Sequence, residues 1–105
     1  MVQELDDASL NPFIKRGQPA LILFYSEMCR YCQMFMPIFK EAEMENNQLV
    51  RFGAYNCTNG SDNVMEEFKV QYFPSVKFFK QGQFIKDYTG KRSVESITSF
   101  IARNL

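Results

Sequence analysis

The run Ala20-Leu21-Ile22-Leu23-Phe24-Tyr25 is almost unbroken in its apolar character. Shortly after it, Cys29-Arg30-Tyr31-Cys32 opens a segment with helical periodicity. An apolar run without alternation suits a strand buried on both faces of a parallel sheet. Two thiols at this spacing can close a small disulfide. At a helix N-terminus the first of them meets free N–H groups and the positive end of the helix dipole, which favour a thiolate. The order strand, thiol pair, helix distinguishes a redox pair from a chance one.

The rest of the chain alternates strands and helices around this centre. Val2–Leu5 reads as a short strand, and Asp7 as the cap of a helix from Ala8 to Arg16, ended by Gly17 and Pro19. A helix from Cys32 to Asn46 carries Phe35, Phe39 and Ala42 on one stripe, with Pro37 expected to kink it. Val50–Asn56 is a third strand, followed by a loop and a short helix over Val64–Phe68. Val76–Phe79 and Phe84–Tyr88 flank Gln81-Gly82 as a hairpin. Ser93 caps a last helix that turns Val94, Ile97, Phe100 and Ile101 inward. The sum is βαβαβαββα: a single α/β domain over residues 1–105, with no linker or repeat.

Composition narrows the chemistry. Hydrophobic residues make up 46% of 105 residues, with 11 Phe, which suits one folded core rather than disorder. Twelve basic residues balance twelve acidic ones without a basic cluster, so neither nucleic acid nor an anionic membrane is an expected partner. The longest apolar stretch is far too short to span a bilayer. There is no histidine. That excludes Cys-His and Ser-His catalysis, and it leaves three cysteines as a poor zinc ligand set. The Phe and Met excess reads as core, and no cofactor is assigned.

Several segments together carry a family likeness. They are Phe24-Tyr25 ahead of the thiol pair, Pro37 after it, Asn56-Cys57-Thr58 closing the third strand, the stretch from Val70 through Phe73-Pro74 to Phe79, and Tyr88-Thr89-Gly90 with Arg92. In their order and spacing, the chain resembles a thioredoxin-fold domain of the protein disulfide isomerase family from end to end, of the kind that can be excised from a longer multidomain protein.

The resemblance implies a mixed central sheet flanked by helices and a monomeric domain. It also implies thiol–disulfide exchange on cysteines of protein or peptide substrates, of the disulfide oxidase or isomerase type. Cys29 would then be the attacking thiol and Cys32 the resolving one. Pro74 would be cis beside them, and the backbone of Phe73 would pair with an extended substrate segment. Arg30 adds a cation near the first thiol. Arg92 matches a family arginine held to lower the pKa of the second thiol. A thiol whose pKa falls by about two gains only about threefold in attack rate near neutral pH, because its nucleophilicity drops as well. The same fall moves the couple by about 60 mV toward oxidising behaviour, so poise gains more than speed.

The departures from the family pattern are specific. Met28, Arg30 and Tyr31 replace the common Trp, Gly and His around the thiols. Tyr31 before the second Cys is similar to glutaredoxins, whose glutathione site has no counterpart elsewhere in the chain. Leu23 stands where the family keeps a buried carboxylate that moves the proton of the second Cys, and Ala54 where it keeps the partner Lys. Losing a buried ion pair whole is often neutral for stability, so the consequence falls on Cys32, whose local base is gone.

Cys57 reads as a buried structural thiol; several relatives pair a cysteine here with one where this chain has Met65. Asn56 and Asn59 both begin glycosylation sequons, and Asn59, in a loop, is the better acceptor. Two other functions stay open at this point: a redox-sluggish peptide-binding or chaperone module, and a cluster or metal site shared between two chains through Cys29. No Lys-Asp-Glu-Leu-type tail follows Leu105, so location in the endoplasmic reticulum or another secretory compartment rests on the likeness alone.

Overall fold

A computed structural model describes all 105 residues. Nine elements follow in chain order: β1 (Gln3–Leu5), α1 (Leu10–Lys15), β2 (Ala20–Tyr25), α2 (Arg30–Asn46), β3 (Arg51–Asn56), α3 (Asp62–Glu67), β4 (Ser75–Lys80), β5 (Gln83–Tyr88) and α4 (Val94–Asn104). This is the anticipated βαβαβαββα order. One five-stranded sheet runs β1-β3-β2-β4-β5, parallel from β1 through β2 and antiparallel over β4 and β5.

The unbroken apolar run becomes β2, an inner strand with partners on both sides. Successive side chains point to opposite faces. Leu21 and Leu23 therefore join a core cluster with Phe35, Phe39 and Ala42 of α2 and Ile97, Phe100 and Ile101 of α4. Ala20, Ile22 and Phe24 join a second cluster with Leu10, Phe13 and Ile14 of α1 and Val64 of α3. Burying large side chains such as Phe39 and Ile22, both fully enclosed, stabilises the fold by roughly 1.5–3 kcal/mol each.

The ends of the elements differ from the sequence reading in physically clear ways. The first helix starts at Leu10, and Asp7 does not cap it. Ser9 stands at the cap position without a side-chain cap bond, and Asp6 closes the turn before the helix: its Oδ1 accepts the N–H groups of Ala8 (3.0 Å) and Ser9 (2.9 Å), while Ser9 Oγ accepts from Asp6 N. These bonds to the charged form hold the Asp6 carboxyl below its ordinary pKa. Asp7 instead accepts the hydroxyl proton of Tyr55, tying the loop before α1 to β3. The second helix begins at Arg30, with Cys29 as its cap, and continues through Pro37 to Asn46. Pro37 is exposed, so water can compensate its missing hydrogen bond. At the hairpin, Gln81 (φ 53°) and Gly82 (φ 78°) both take the left-handed conformation of a two-residue turn matched to strand twist.

Candidate functional site

The two candidate thiols sit where β2 hands over to α2. Cys29 occupies the cap position, and its Sγ accepts the N–H of Cys32 at 3.2 Å, while its carbonyl accepts from Gln33 N at 3.2 Å. This is the geometry in which a sulfur substitutes for the usual oxygen cap and receives N–H donation that stabilises negative charge on it. Cys29 is partly exposed, whereas Cys32 is buried at 2% exposure. Both are free thiols.

The loop carrying Cys29 is pinned from β3. Thr58 Oγ1 accepts the N–H of Glu27 at 2.8 Å and lies 3.1 Å from Ser26 Oγ. Thr58 is itself turned by the side chain of Asn56, whose Oδ1 accepts Thr58 N at 3.0 Å. Ser26 O in turn accepts Cys29 N at 3.2 Å, and Gln33 Nε2 reaches back to Glu27 O at 3.0 Å. Nothing in the local pattern around the thiols announced Thr58, because its partners lie far away along the chain.

Burial pushes the Cys32 thiol up from its ordinary pKa, and its bond to and charge interaction with Cys29 push the same way. The main-chain N–H of Ser26 and the charge of Arg92 oppose them. Arg92 reaches the site from the loop before α4, with its guanidinium carbon 5.6 Å from the centre of the Tyr31 ring. The structure thus brings Cys29, Cys32, Tyr31 and Arg92 together. Arg30 is exposed on the first turn of α2.

The Phe73-Pro74 peptide bond is cis, and Pro74 is buried. Ser75 Oγ donates to Tyr72 O at 2.7 Å across this turn. A small cavity of about 140 Å³ lies between Tyr72, Pro74, Tyr88, Gly90 and Arg92. Phe73 is half-buried against the second core cluster, and its backbone N–H and C=O meet no intramolecular partner. Exposed apolar surface near the thiols comes from Met28 (88% exposed), Tyr31, Met34 and Tyr72.

Behind the site, Leu23 and Ala54 are partners in register across β2 and β3, and both are completely buried. The interior at this point is hydrocarbon. Cys57 and Met65 both pack against the second cluster, Cys57 half-buried, and burial pushes its thiol up to about 11. No group of His, Cys, Asp and Glu side chains is arranged to hold a metal ion.

Known proteins share this fold. The thioredoxin family model matches residues 1–103. Endoplasmic reticulum resident protein 44 of Homo sapiens is 31% identical over 107 residues, covering 95% of this chain and 26% of that protein. DnaJ homolog subfamily C member 10 of Rattus norvegicus is 31% identical over 102 residues, covering 96% of this chain and 13% of that protein. A mitochondrial thioredoxin domain-containing protein of Schizosaccharomyces pombe is 27% identical over 108 residues. Among solved structures, crystal form I of human ERp44 superposes with a TM-score of 0.88 at 26% identity, over 97% of this chain and 29% of that one. The J-Trx1 fragment of ERdj5 gives 0.88 at 27% identity, over 97% of this chain and 50% of that one. The chain thus spans about a quarter or less of these two curated relatives, 26% of the first and 13% of the second. A thiol pair capping α2, a cis-proline turn and a family match over nearly every residue lead to one conclusion: the chain belongs to the thioredoxin family, as a domain of the protein disulfide isomerase type.

Proposed function

We propose that this domain exchanges disulfides with cysteine-containing protein or peptide substrates through Cys29 and Cys32. The observation that carries this reading is the asymmetry of the pair. One thiol is partly exposed and accepts a main-chain N–H at the helix start; the other is buried three residues on with its proton held tightly. Such a pair suits a two-step exchange. Cys29 attacks a substrate disulfide, breaking its S–S bond to form a mixed disulfide and releasing the other substrate sulfur as a thiolate. Cys32 then attacks Cys29 Sγ, closing the pair and releasing the substrate sulfur as a thiolate. The unpaired backbone of Phe73 beside cis-Pro74 offers an edge to which an extended substrate segment can bond.

A second reading is favoured by the hydrocarbon at Leu23 and Ala54. Without a buried base, resolution by Cys32 is slow, and the domain works as a capture module that holds substrates beside Phe73-Pro74. The relatives named as endoplasmic reticulum proteins support action in the secretory pathway, although a mitochondrial relative also matches.

The experiment is a trapping assay. The Cys32→Ala variant is mixed with a disulfide-containing peptide, and the product is mapped by mass spectrometry. A stable adduct on Cys29 supports exchange; peptide binding without any adduct leaves the capture module as the function.

A further inference from the structure

The resolving thiol needs somewhere to send its proton, and the interior offers nothing. Only two charged side chains are buried. Glu43 is taken by the chain's amino group at 2.6 Å, and Lys77 by Asp87 at 2.6 Å. Leu23 and Ala54 close the inner route with hydrocarbon. Cys32 does, however, line a cavity of about 390 Å³ together with Tyr25, Ser26, Glu27, Gln33 and Met36.

Tyr25 is the notable wall of that cavity. Its hydroxyl donates to the Glu4 carboxylate of the edge strand β1, at 2.9 Å from Oε1 and 3.1 Å from Oε2. Burial, the Glu4 bond and the negative charges of Glu4, Glu27 and Cys32 raise the Tyr25 phenol well above its ordinary pKa, so it keeps its proton. A phenol in that state is a poor base. It is a good relay, because its oxygen can accept one proton while its own proton moves to the carboxylate it already contacts.

We propose that Tyr25 and Glu4 form the outlet for the Cys32 proton, replacing the buried carboxylate that Leu23 displaces. The inference rests on the exchange reading above and deepens it. In the mixed disulfide, Cys29 carries no thiolate, so two of the influences holding the Cys32 proton vanish and burial alone remains. As the Cys32 sulfur attacks Cys29 Sγ, its proton passes through water in the cavity the two residues share to Tyr25 Oη, and the Tyr25 proton passes to Glu4. The Cys29–Cys32 bond forms, the Cys29–substrate bond breaks, and the substrate sulfur leaves with the electron pair. Glu4 then returns the proton to solvent. Tyr25 is the catalytic relay, and Glu4 acts through it. The charged and titratable groups facing Cys32 are Cys29 of the α2 cap, Arg92 from the loop before α4, Tyr25 of β2 and Glu27 of the following loop, with Glu4 of β1 behind Tyr25.

The test uses dithionitrobenzoate in a stopped-flow instrument, on a Cys57→Ala background so that only the pair reacts. Two thionitrobenzoate releases are read: the first reports attack by Cys29, the second resolution by Cys32. At pH 7, Tyr25→Phe and Glu4→Gln each slow the second release at least fivefold relative to the first, and the double variant is no slower than either. The deficit shrinks as pH rises toward the Cys32 pKa, and added imidazole restores the variants more than the parent. A purely structural role for Tyr25 would show neither the rescue nor the pH dependence. Glu4→Gln lies on an edge strand and serves as the second probe should Tyr25→Phe fold poorly. An unchanged second release in a folded Tyr25→Phe or Glu4→Gln overturns the relay. So does slowing by Glu27→Gln with Glu4→Gln silent. Absence of any second release from the parent overturns the exchange reading itself, and the relay with it.

Discussion

Arg92 holds its guanidinium over the face of Tyr31, 5.6 Å from the ring centre, and from there its charge favours the thiolate of Cys32. A contact of this kind at an exposed site stabilises by about 0.5–1 kcal/mol. Arg92→Ala therefore raises the Cys32 pKa further, slows resolution of mixed disulfides near neutral pH and moves the rise of the pH–rate profile to higher pH. If that pKa rises by about one, the thiolate fraction at neutral pH, and with it the rate, falls about tenfold. Tyr31→Ala leaves the cation but frees it, giving a smaller change of the same sign. A pH–rate profile identical in all three proteins would show that Arg92 has no part in the step.

Arg30, on the exposed first turn of α2, tests the origin of the redox poise. Arg30→Glu reverses a charge beside the first thiol and weakens the reduced form of the pair. The couple becomes more reducing by tens of millivolts, about 30 mV for each 1.4 kcal/mol. Equilibration with glutathione buffers measures it. A potential that does not move assigns the poise to the helix terminus alone.

The neighbouring Leu23 and Ala54 give a stability experiment as well as a kinetic one. Leu23→Glu places a lone carboxylate in hydrocarbon and destabilises the fold by several kcal/mol, whereas adding Ala54→Lys recovers part of the loss. Denaturant melts of the four proteins in a double-mutant cycle read the coupling. Leu23→Glu also supplies an inner base, so it accelerates resolution at neutral pH. A folded variant with an unchanged rate would mean that proton transfer from Cys32 is not limiting.

Cys57 should be the inert thiol. With its pKa pushed up to about 11, only about one molecule in ten thousand carries the thiolate at pH 7. Alkylation of the reduced protein, mapped by mass spectrometry, labels Cys29, while Cys57 and the buried Cys32 stay protected. The raised pKa also carries a stability consequence. The folded pKa lies above the ordinary value of 9.0, so the stabilisation is complete below pH 9 and is lost as pH rises toward 11. The contribution is at most about 3 kcal/mol. Thermal melts of Cys57→Ala lose less stability than the parent between pH 9 and 11.

Lys77 is buried to 7% side-chain exposure and meets Asp87 at 2.6 Å across the hairpin, with its Nζ 5.4 Å from the centre of the Phe84 ring. Asp87→Ala strands a buried cation and costs more than the 0–1 kcal/mol of an ordinary surface pair, about 1–3 kcal/mol. Lys77→Met removes the charge together with the need for it and costs less. Equal losses in urea melts would show that solvent already compensates Lys77.

The architecture was legible in the sequence because it rests on local periodicity. The unbroken run of β2, the stripes of α2 and α4 and the Gln81-Gly82 turn each declare themselves within a few residues. The thiol pair and its place at a helix start were readable for the same reason, whereas the departures at Leu23 and Ala54 were readable only through the family resemblance. Capping was not, since a Tyr55 hydroxyl from β3 claims Asp7, and Asp6 closes the turn before α1 instead. The start of α2 moved to Arg30 because the sulfur of Cys29 itself accepts the bond that begins the helix. Thr58 holding the active loop, Arg92 over Tyr31, and Glu4 behind Tyr25 all join segments distant in sequence. Hydrophobic periodicity sets which face of an element turns inward. Only the packed sheet, which lays β1 and β2 on either side of β3 and brings the loop before α4 to the start of α2, decides which polar groups meet there.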